Sequence, residues 1–178
     1  MKPELFEVMK GIIGTAKCSF IGEIGTHKAY TARQLIDYCA QRVKTVTYYG
    51  YDIFDQHNPD QQLHQQERNG KAPASFQYAQ SMLTQWQIKH NNLKYKLFRG
   101  LTTDTLQPTQ FDFVYIDGGH SYDTVKHDYH KVKDSKIIVF DDVKITGVYK
   151  FVHELKDQGV PVELVRTHTK HTWAVIRN

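Results

Sequence analysis

The amino-acid sequence predicts a doubly wound α/β fold, in which a mostly parallel sheet ends in a C-terminal antiparallel hairpin. Short apolar segments that suit buried strands alternate with longer segments of helical periodicity. Glycines and acidic residues follow several of the apolar segments, and the carboxyl ends of parallel strands are the edge where such sheets bind ligands. The last two apolar segments are joined by a short connection, which favours antiparallel pairing.

Composition and length indicate one soluble globular unit. The chain has 178 residues, of which 40% are hydrophobic and 24% charged, so we predict a single domain over residues 1–178. No apolar stretch approaches the roughly 20 residues of a membrane span, and the N-terminal segment does not resemble a secretory signal. We therefore expect a cytoplasmic protein without a membrane partner. With no CxxC pair, Cys18 and Cys39 are predicted to be core thiols.

Charge patterning gives little support for a polyanionic partner. The formal net charge is +4, but the lysines and arginines are spread along the chain instead of forming a block. Nucleic acid is therefore disfavoured as a partner. The sequence contains no pattern that predicts the oligomeric state.

The first half of the chain reads as helix, strand, helix, strand. Apolar residues at helical spacing predict a helix over residues 3–13 that ends near Gly14. Residues 18–24 and 45–53 are predicted strands, and residues 29–43 between them a helix. This strand–turn–helix–strand unit is typical of sheets that bind nucleotides.

The turn after the first strand is a predicted ligand-binding element. Glu23, Gly25 and Thr26 lie where a glycine lets a ligand approach the backbone and a following helix offers free N–H groups. The turn lacks the G-x-G-x-x-G pattern, which disfavours a nicotinamide dinucleotide. Asp52, 27 residues after Gly25, is predicted to accept hydrogen bonds from ribose hydroxyls. A capping or surface role is the alternative, with Asp55 the next choice for the ribose.

Residues 57–92 are the least typical region and are predicted to form a helical lid or insertion. The polar stretch 57–71 is expected to be mobile and to form a lid over a bound substrate. Residues 75–90 have helical periodicity with an aromatic and methionine stripe that favours core packing over a substrate pocket. A third strand, 93–98, and a loop, 99–104, follow.

Two predicted strands in the second half of the chain end in acidic residues. Residues 111–116 form an apolar strand that ends at Asp117, and residues 137–140 form another that ends at Asp141 and Asp142. A helix with an apolar face separates these two strands, and the helix 145–158 follows them. Residues 161–165 and 172–176 complete the predicted hairpin.

The order I-D-G-G-H-S-Y-D and then I-I-V-F-D-D-V resembles the small-molecule O-methyltransferase (methyltransferase-24-like) family. These are Rossmann-like class I enzymes that use S-adenosylmethionine, and the similarity extends from Phe20 to the C-terminus. The resemblance implies the seven-stranded methyltransferase sheet. Relatives have E-x-G-x-x-x-G in the first turn, whereas this chain has Ala29 at the second glycine. The implied cofactor-binding residues are Glu23, Gly25, Thr26, Asp52, Ile53, Thr102, Thr103, Asp104 and Asp117.

The resemblance implies methyl transfer from S-adenosylmethionine to an oxygen of a small molecule that carries a hydroxyl group. Asp117 and His120 are the predicted catalytic residues, and His120 would remove the acceptor proton. A helix-entry or solvent-exposed histidine is the alternative for His120. Two other functions stay open: a cofactor-binding protein that has lost chemistry, and a base methyltransferase, which I-D-G-G-H in place of a D-P-P-Y-like motif disfavours.

A divalent metal, most simply Mg²⁺, is predicted at Asp117, Asp141 and Asp142. Adjacent strand ends can bring three carboxylates together, and these repel one another unless a cation or protons intervene. Metal-dependent relatives have acidic or amide ligands at the same strand ends. The alternative is that Asp141 and Asp142 cap the next helix and Asp117 faces the cofactor.

Overall fold

The structure, a computed structural model, describes residues 1–55, 72–167 and 171–178. The predicted lid, residues 57–71, lies outside the described residues. The part of the predicted insertion that is described contains a regular helix, as the apolar stripe indicated.

Helices and strands alternate along the described residues. The helices are α1 (Pro3–Ile13), α2 (Tyr30–Ala40), α3 (Phe76–Lys89), α4 (Thr102–Thr105), α5 (Tyr122–Val132) and α6 (Thr146–Asp157). The strands are β1 (Phe20–Ile24), β2 (Val46–Asp52), β3 (Leu93–Arg99), β4 (Phe113–Ile116), β5 (Ile137–Phe140), β6 (Val162–Arg166) and β7 (Thr172–Arg177). Among these helices, none is both long and apolar enough to cross a lipid bilayer.

Local signals set several helix ends. Pro3 lies in the first turn of α1, and Gly14 ends that helix with φ 58° while its N–H bonds to Lys10 O. The Ser75 hydroxyl accepts from Tyr78 N at the start of α3. The Ser121 hydroxyl accepts from Thr124 N at the start of α5. These caps satisfy backbone groups that a helix end leaves without partners.

The strands form one seven-stranded sheet in the order β3-β2-β1-β4-β5-β7-β6. The pairs β3–β2, β2–β1, β1–β4 and β4–β5 are parallel. Strand β7 is antiparallel to both β5 and β6. The predicted mostly parallel sheet with a C-terminal antiparallel hairpin is confirmed. The carboxyl ends of β1, β2, β4 and β5 therefore lie along one edge.

Each face of the sheet carries its own apolar core. Met9, Leu35 and Tyr48 belong to the cluster on the side of α1, α2 and α3. Tyr129 and Phe151 belong to the cluster beneath α5 and α6. All four residues of β4 and of β5 are buried, because both faces of these central strands are covered. Both cysteines are buried free thiols, as predicted.

The predicted strand at 111–116 begins two residues later than expected, at Phe113. The Asp112 carboxylate accepts from the backbone N–H groups of Ser19 and Phe20, at 2.8 and 2.9 Å. The ring of Phe111 lies against Gly22, where an added Cβ would be 2.9 Å from the ring. Both residues thus bind β1 just before β4 begins.

Candidate active site

A cleft of about 450 Å³ lies at the carboxyl ends of β1, β2 and β4. Most of the predicted cofactor residues line it, together with His120. Thr103 and Asp104 are exposed on α4 and do not line this cleft. Thr124 and Asp128 of α5 line it, and the sequence interpretation did not include them. The predicted residues that line the cleft are Glu23, Gly25, Thr26, Asp52, Ile53, Thr102 and Asp117.

Gly25 is required by the packing of the first turn against the end of β4. Its φ of 92° is a conformation that favours glycine. An added Cβ would lie 2.0 Å from the carbonyl oxygen of Asp117 and 2.9 Å from Gly118 N. The glycine was predicted for ligand approach, but the structure shows that backbone packing already requires it.

Ala29, at the position of the second motif glycine, adopts a left-handed backbone conformation, which glycine adopts without strain. Its φ is 59° and ψ is 25°, in the left-handed region, and its side chain is buried. An L-residue in this region is strained by roughly 1–2 kcal/mol. The turn therefore places an alanine where a glycine would be free of this strain.

Asp52 joins the loop after β1 to the loop after β2. Its Oδ2 accepts from His27 N at 2.8 Å, and its Oδ1 accepts from Phe54 N at 2.6 Å. Both donors have positive φ, 47° for His27 and 53° for Phe54. The carboxylate thus holds two strained loop residues at the cleft. Asp55 instead forms an ion pair with Arg99 at 2.9 Å.

Glu23 is a buried acid in the wall of the cleft. It is 1% exposed, and the Tyr48 hydroxyl donates a hydrogen bond to its carboxylate. Burial raises the pKa of Glu23 to about 8, although the hydrogen bond from Tyr48 opposes this shift. Glu23 is therefore largely protonated at neutral pH in the folded protein.

Replacing Glu23 by glutamine is expected to change how stability depends on pH. An unfolded Glu23 titrates near 4.5 and the folded one near 8, so the folded state binds more protons between these values. Its contribution to stability is complete below pH 4.5 and is lost as pH rises through 8. As pH rises from 5 to 8, the stability of Glu23→Gln relative to wild type should increase by roughly 3–4 kcal/mol. Urea unfolding at four pH values measures this difference.

The control for this measurement is Glu163→Gln. Glu163 is exposed on the edge strand β6 and pairs with Arg177 at 2.6 Å, so the pH profile of this variant should follow wild type. If the profile of Glu23→Gln also runs parallel to wild type, Glu23 is ionised in the folded protein and the assigned pKa shift is wrong.

The ends of β4 and β5 bring Asp117, His120 and Asp142 together. One ligand-type atom from each lies within 4.8 Å of the others. His120 Nε2 is 3.0 Å from Asp142 Oδ2, and His120 is only 9% exposed. The predicted catalytic residues Asp117 and His120 are therefore neighbours in a sheltered position, with Asp142 as the partner of the imidazole.

Asp141 faces a different set of groups. Its carboxylate accepts from Trp173 Nε1 at 3.1 Å, from Asp142 N at 2.7 Å and from the Tyr115 hydroxyl. His171 Nε2 lies 2.5 Å from Asp141 Oδ1, and this contact raises the pKa of His171. The three predicted metal ligands therefore divide into two groups that share Asp142.

The sequence interpretation missed His171 and Trp173. Strand β7 inserts between β5 and β6, and Phe140 pairs with Ala174, which places the start of β7 beside Asp141. Only the hairpin prediction gave a signal for this placement, since two consecutive strands with a short connection return the chain to the same edge.

A second cavity of about 580 Å³ adjoins the cleft at the ends of β4 and β5. Asp117 lines both cavities. The second cavity is lined by the two aspartates of the β5 end, by His171 and by apolar residues that include Leu5 and Val143. One acidic junction between two cavities suits a reaction between two bound molecules.

The model of a family described as a methyltransferase domain matches residues 23–143, more than half of the chain. The chain belongs to this methyltransferase family. The match begins at Glu23 and includes the ends of β1, β2, β4 and β5. It therefore contains every residue of the two possible metal-binding groups except His171. The predicted class, an S-adenosylmethionine-dependent methyltransferase of the Rossmann-like type, is confirmed.

Solved structures show the same fold at low sequence identity. An O-methyltransferase from Bacillus cereus in complex with SAH has a TM-score of 0.64 at 13% identity, over 100% of this chain and 82% of that chain. The O-methyltransferase TomG from Streptomyces achromogenes, involved in tomaymycin synthesis and in complex with SAM, has 0.58 at 14%, over 100% and 81%.

A third similar structure is that of a methyltransferase with a different kind of name, which does not specify an oxygen acceptor. The precorrin-6y C5,15-methyltransferase from Geobacter metallireducens GS-15 has a TM-score of 0.62 at 15% identity, over 100% of this chain and 89% of that chain. A search of curated proteins found no match. The shared fold therefore does not determine which atom this methyltransferase modifies.

Proposed function

We propose that this methyltransferase transfers a methyl group from S-adenosylmethionine to a hydroxyl oxygen of a small molecule. The observation that carries the proposal is the contact of 3.0 Å between the buried His120 and the partly exposed Asp142, beside Asp117 at the junction of the two cavities. The cofactor would occupy the cleft of about 450 Å³, and the acceptor would occupy the adjoining cavity of about 580 Å³. Both volumes suit small molecules.

The residues of the cleft can hold each part of the cofactor. Asp52 would accept hydrogen bonds from the ribose hydroxyls. Thr102 and α5 would lie beside the adenine. Gly25 and Asp117 would face the methionine end. Bound S-adenosylmethionine supplies an already activated methyl group, so the protein contributes alignment and proton removal.

His120 is the proposed proton acceptor. Its Nε2 is hydrogen-bonded to Asp142 Oδ2, and this contact orients the imidazole at the junction. A buried position excludes water from the proton that His120 would remove. Asp142 stabilises the imidazolium that forms, because an ion pair is stronger where water is scarce.

A divalent metal ion at the same junction is a further part of the proposal. The carboxylates of Asp117 and Asp142 suffice for Mg²⁺, which is usually held by one or two carboxylates and several waters. Asp141, the third predicted ligand, already accepts three hydrogen bonds from the protein, so we assign it to anchoring the β5 end. A bound metal would lower the pKa of the acceptor hydroxyl.

The test of the proposed function is an activity screen with an affinity measurement beside it. The protein is incubated with S-adenosylmethionine and a library of hydroxylated small molecules, and formation of S-adenosylhomocysteine is followed. We expect turnover with a subset of the library. Cofactor binding by calorimetry without turnover on any acceptor would favour the non-catalytic binding protein, and turnover only on RNA or DNA would favour the nucleic-acid alternative.

Removal of divalent metal is expected to lower activity by more than about 100-fold, because metal polarisation of an acceptor contributes several kcal/mol. The measurement is the rate after EDTA treatment and again after addition of Mg²⁺. Asp142→Asn should lower activity without recovery in Mg²⁺, and Asp104→Asn, on the exposed helix α4, is the matched control. If EDTA changes nothing, proton removal depends on His120 and Asp142 alone.

A further inference from the structure

Gly147, in the first turn of α6, lies against the loop that carries His120. A Cβ added at Gly147 would be 2.2 Å from His120 O, 2.6 Å from Tyr122 N and 2.8 Å from the carbonyl carbon of Ser121. Real Cβ atoms essentially never approach other heavy atoms within 3.0 Å. All three contacts are with backbone atoms, which cannot rotate away as a flexible side chain can.

This contact spans the two halves of the site. Helix α6 follows the β5 end, which carries Asp141 and Asp142, and residues 120–122 follow the β4 end. The hydrogen bond of 3.0 Å between His120 Nε2 and Asp142 Oδ2 connects the same two segments. The absence of a Cβ at Gly147 therefore allows residues 120–122 to pack closely enough on α6 for the imidazole to reach the Asp142 carboxylate.

Helix propensity does not explain this glycine. A glycine inside a helix destabilises the helix relative to alanine, because glycine loses more backbone freedom on folding. Gly11 in α1 has no heavy atom within 4 Å of an added Cβ, so alanine would fit there. At Gly147 the close approach of the loop accounts for the residue.

We propose that Gly147 is a positioning residue that sets the separation of His120 from Asp142. The role in catalysis rests on the proposed function, but the effect on the loop does not. An alanine at this position would move the backbone of residues 120–122 by about 1 Å, since overlap with backbone atoms is relieved only by displacement. The same loop lines the cofactor cleft through Gly118, Gly119 and His120.

The first test measures binding of S-adenosylhomocysteine by calorimetry to wild type, Gly147→Ala and Gly11→Ala, at a temperature where all three are folded. Gly147→Ala should bind at least about tenfold more weakly, because a displaced loop changes the cleft wall. Gly11→Ala should bind as wild type does and be slightly more stable. Equal affinity for all three proteins would overturn the proposal.

The second test is a double-mutant cycle on kcat. Gly147→Ala should lower kcat by about 100-fold, the effect of a misplacement of about 1 Å. In a His120→Ala background the same substitution should change kcat by less than about twofold, because the residue it positions is absent. An equal loss in both backgrounds, or a Gly147→Ala protein that does not fold, would assign Gly147 to general packing and refute positioning. If wild type methylates nothing, the proposed function fails, and the binding test still decides the effect on the loop.

Discussion

Replacing His120 by alanine is expected to lower kcat by about 10²–10⁴-fold, the usual contribution of a general base. The imidazole is buried beside Asp117 and is hydrogen-bonded to Asp142. His120→Gln keeps hydrogen-bonding capacity without a comparable base and should be almost as slow. Single-turnover rates at saturating cofactor and acceptor measure the loss, and calorimetry with S-adenosylhomocysteine should show a much smaller change.

The control for His120 is His130→Ala. His130 is exposed on α5 and does not line either cavity, so its loss should leave kcat near the wild-type value. A His120→Ala enzyme that keeps more than half of the wild-type rate would show that the acceptor proton leaves by another route. Metal-assisted ionisation would then be the remaining part of the proposal.

Replacing Asp52 by alanine is expected to weaken cofactor binding by about 10- to 150-fold, since hydrogen bonds to a charged group contribute roughly 1.5–3 kcal/mol. A role confined to the ribose would leave the stability of the protein almost unchanged. The structure predicts a loss, because the carboxylate also accepts from the N–H groups of His27 and Phe54, both in left-handed conformations. Calorimetry and urea unfolding measure the two effects separately.

Two variants separate ribose binding from loop anchoring at Asp52. Asp52→Asn keeps one oxygen acceptor and should retain part of the stability while it binds the cofactor more weakly. Asp55→Ala is the matched control, because Asp55 is exposed and pairs with Arg99. If Asp52→Ala binds the cofactor with unaltered affinity while Asp55→Ala does not, the ribose assignment moves to Asp55.

The order of the elements and many of their bounds were determined by the sequence. Helix α1 and strand β5 occupy the predicted residues 3–13 and 137–140. Apolar periodicity, the proline and glycine at the ends of α1 and the acidic residues after β4 and β5 are all local features. Local features act within a few residues, so a single sequence is enough to read them. The edge of the sheet that carries the site followed from the same reading.

Only the tertiary structure decided how the acidic residues are used. It separates Asp141, held by Trp173 and Tyr115, from the group of Asp117, His120 and Asp142. The insertion of β7 beside β5 causes this separation.

The roles of the glycines and of Asp52 were likewise decided by contacts between distant segments. Gly25 meets Asp117, and Gly147 meets His120. Asp52 binds a backbone N–H group 25 residues away in the sequence. Contacts of this kind depend on the relative placement of strand ends and helices, which is set by packing of the whole core, and the residues involved carry no local pattern that would predict their partners.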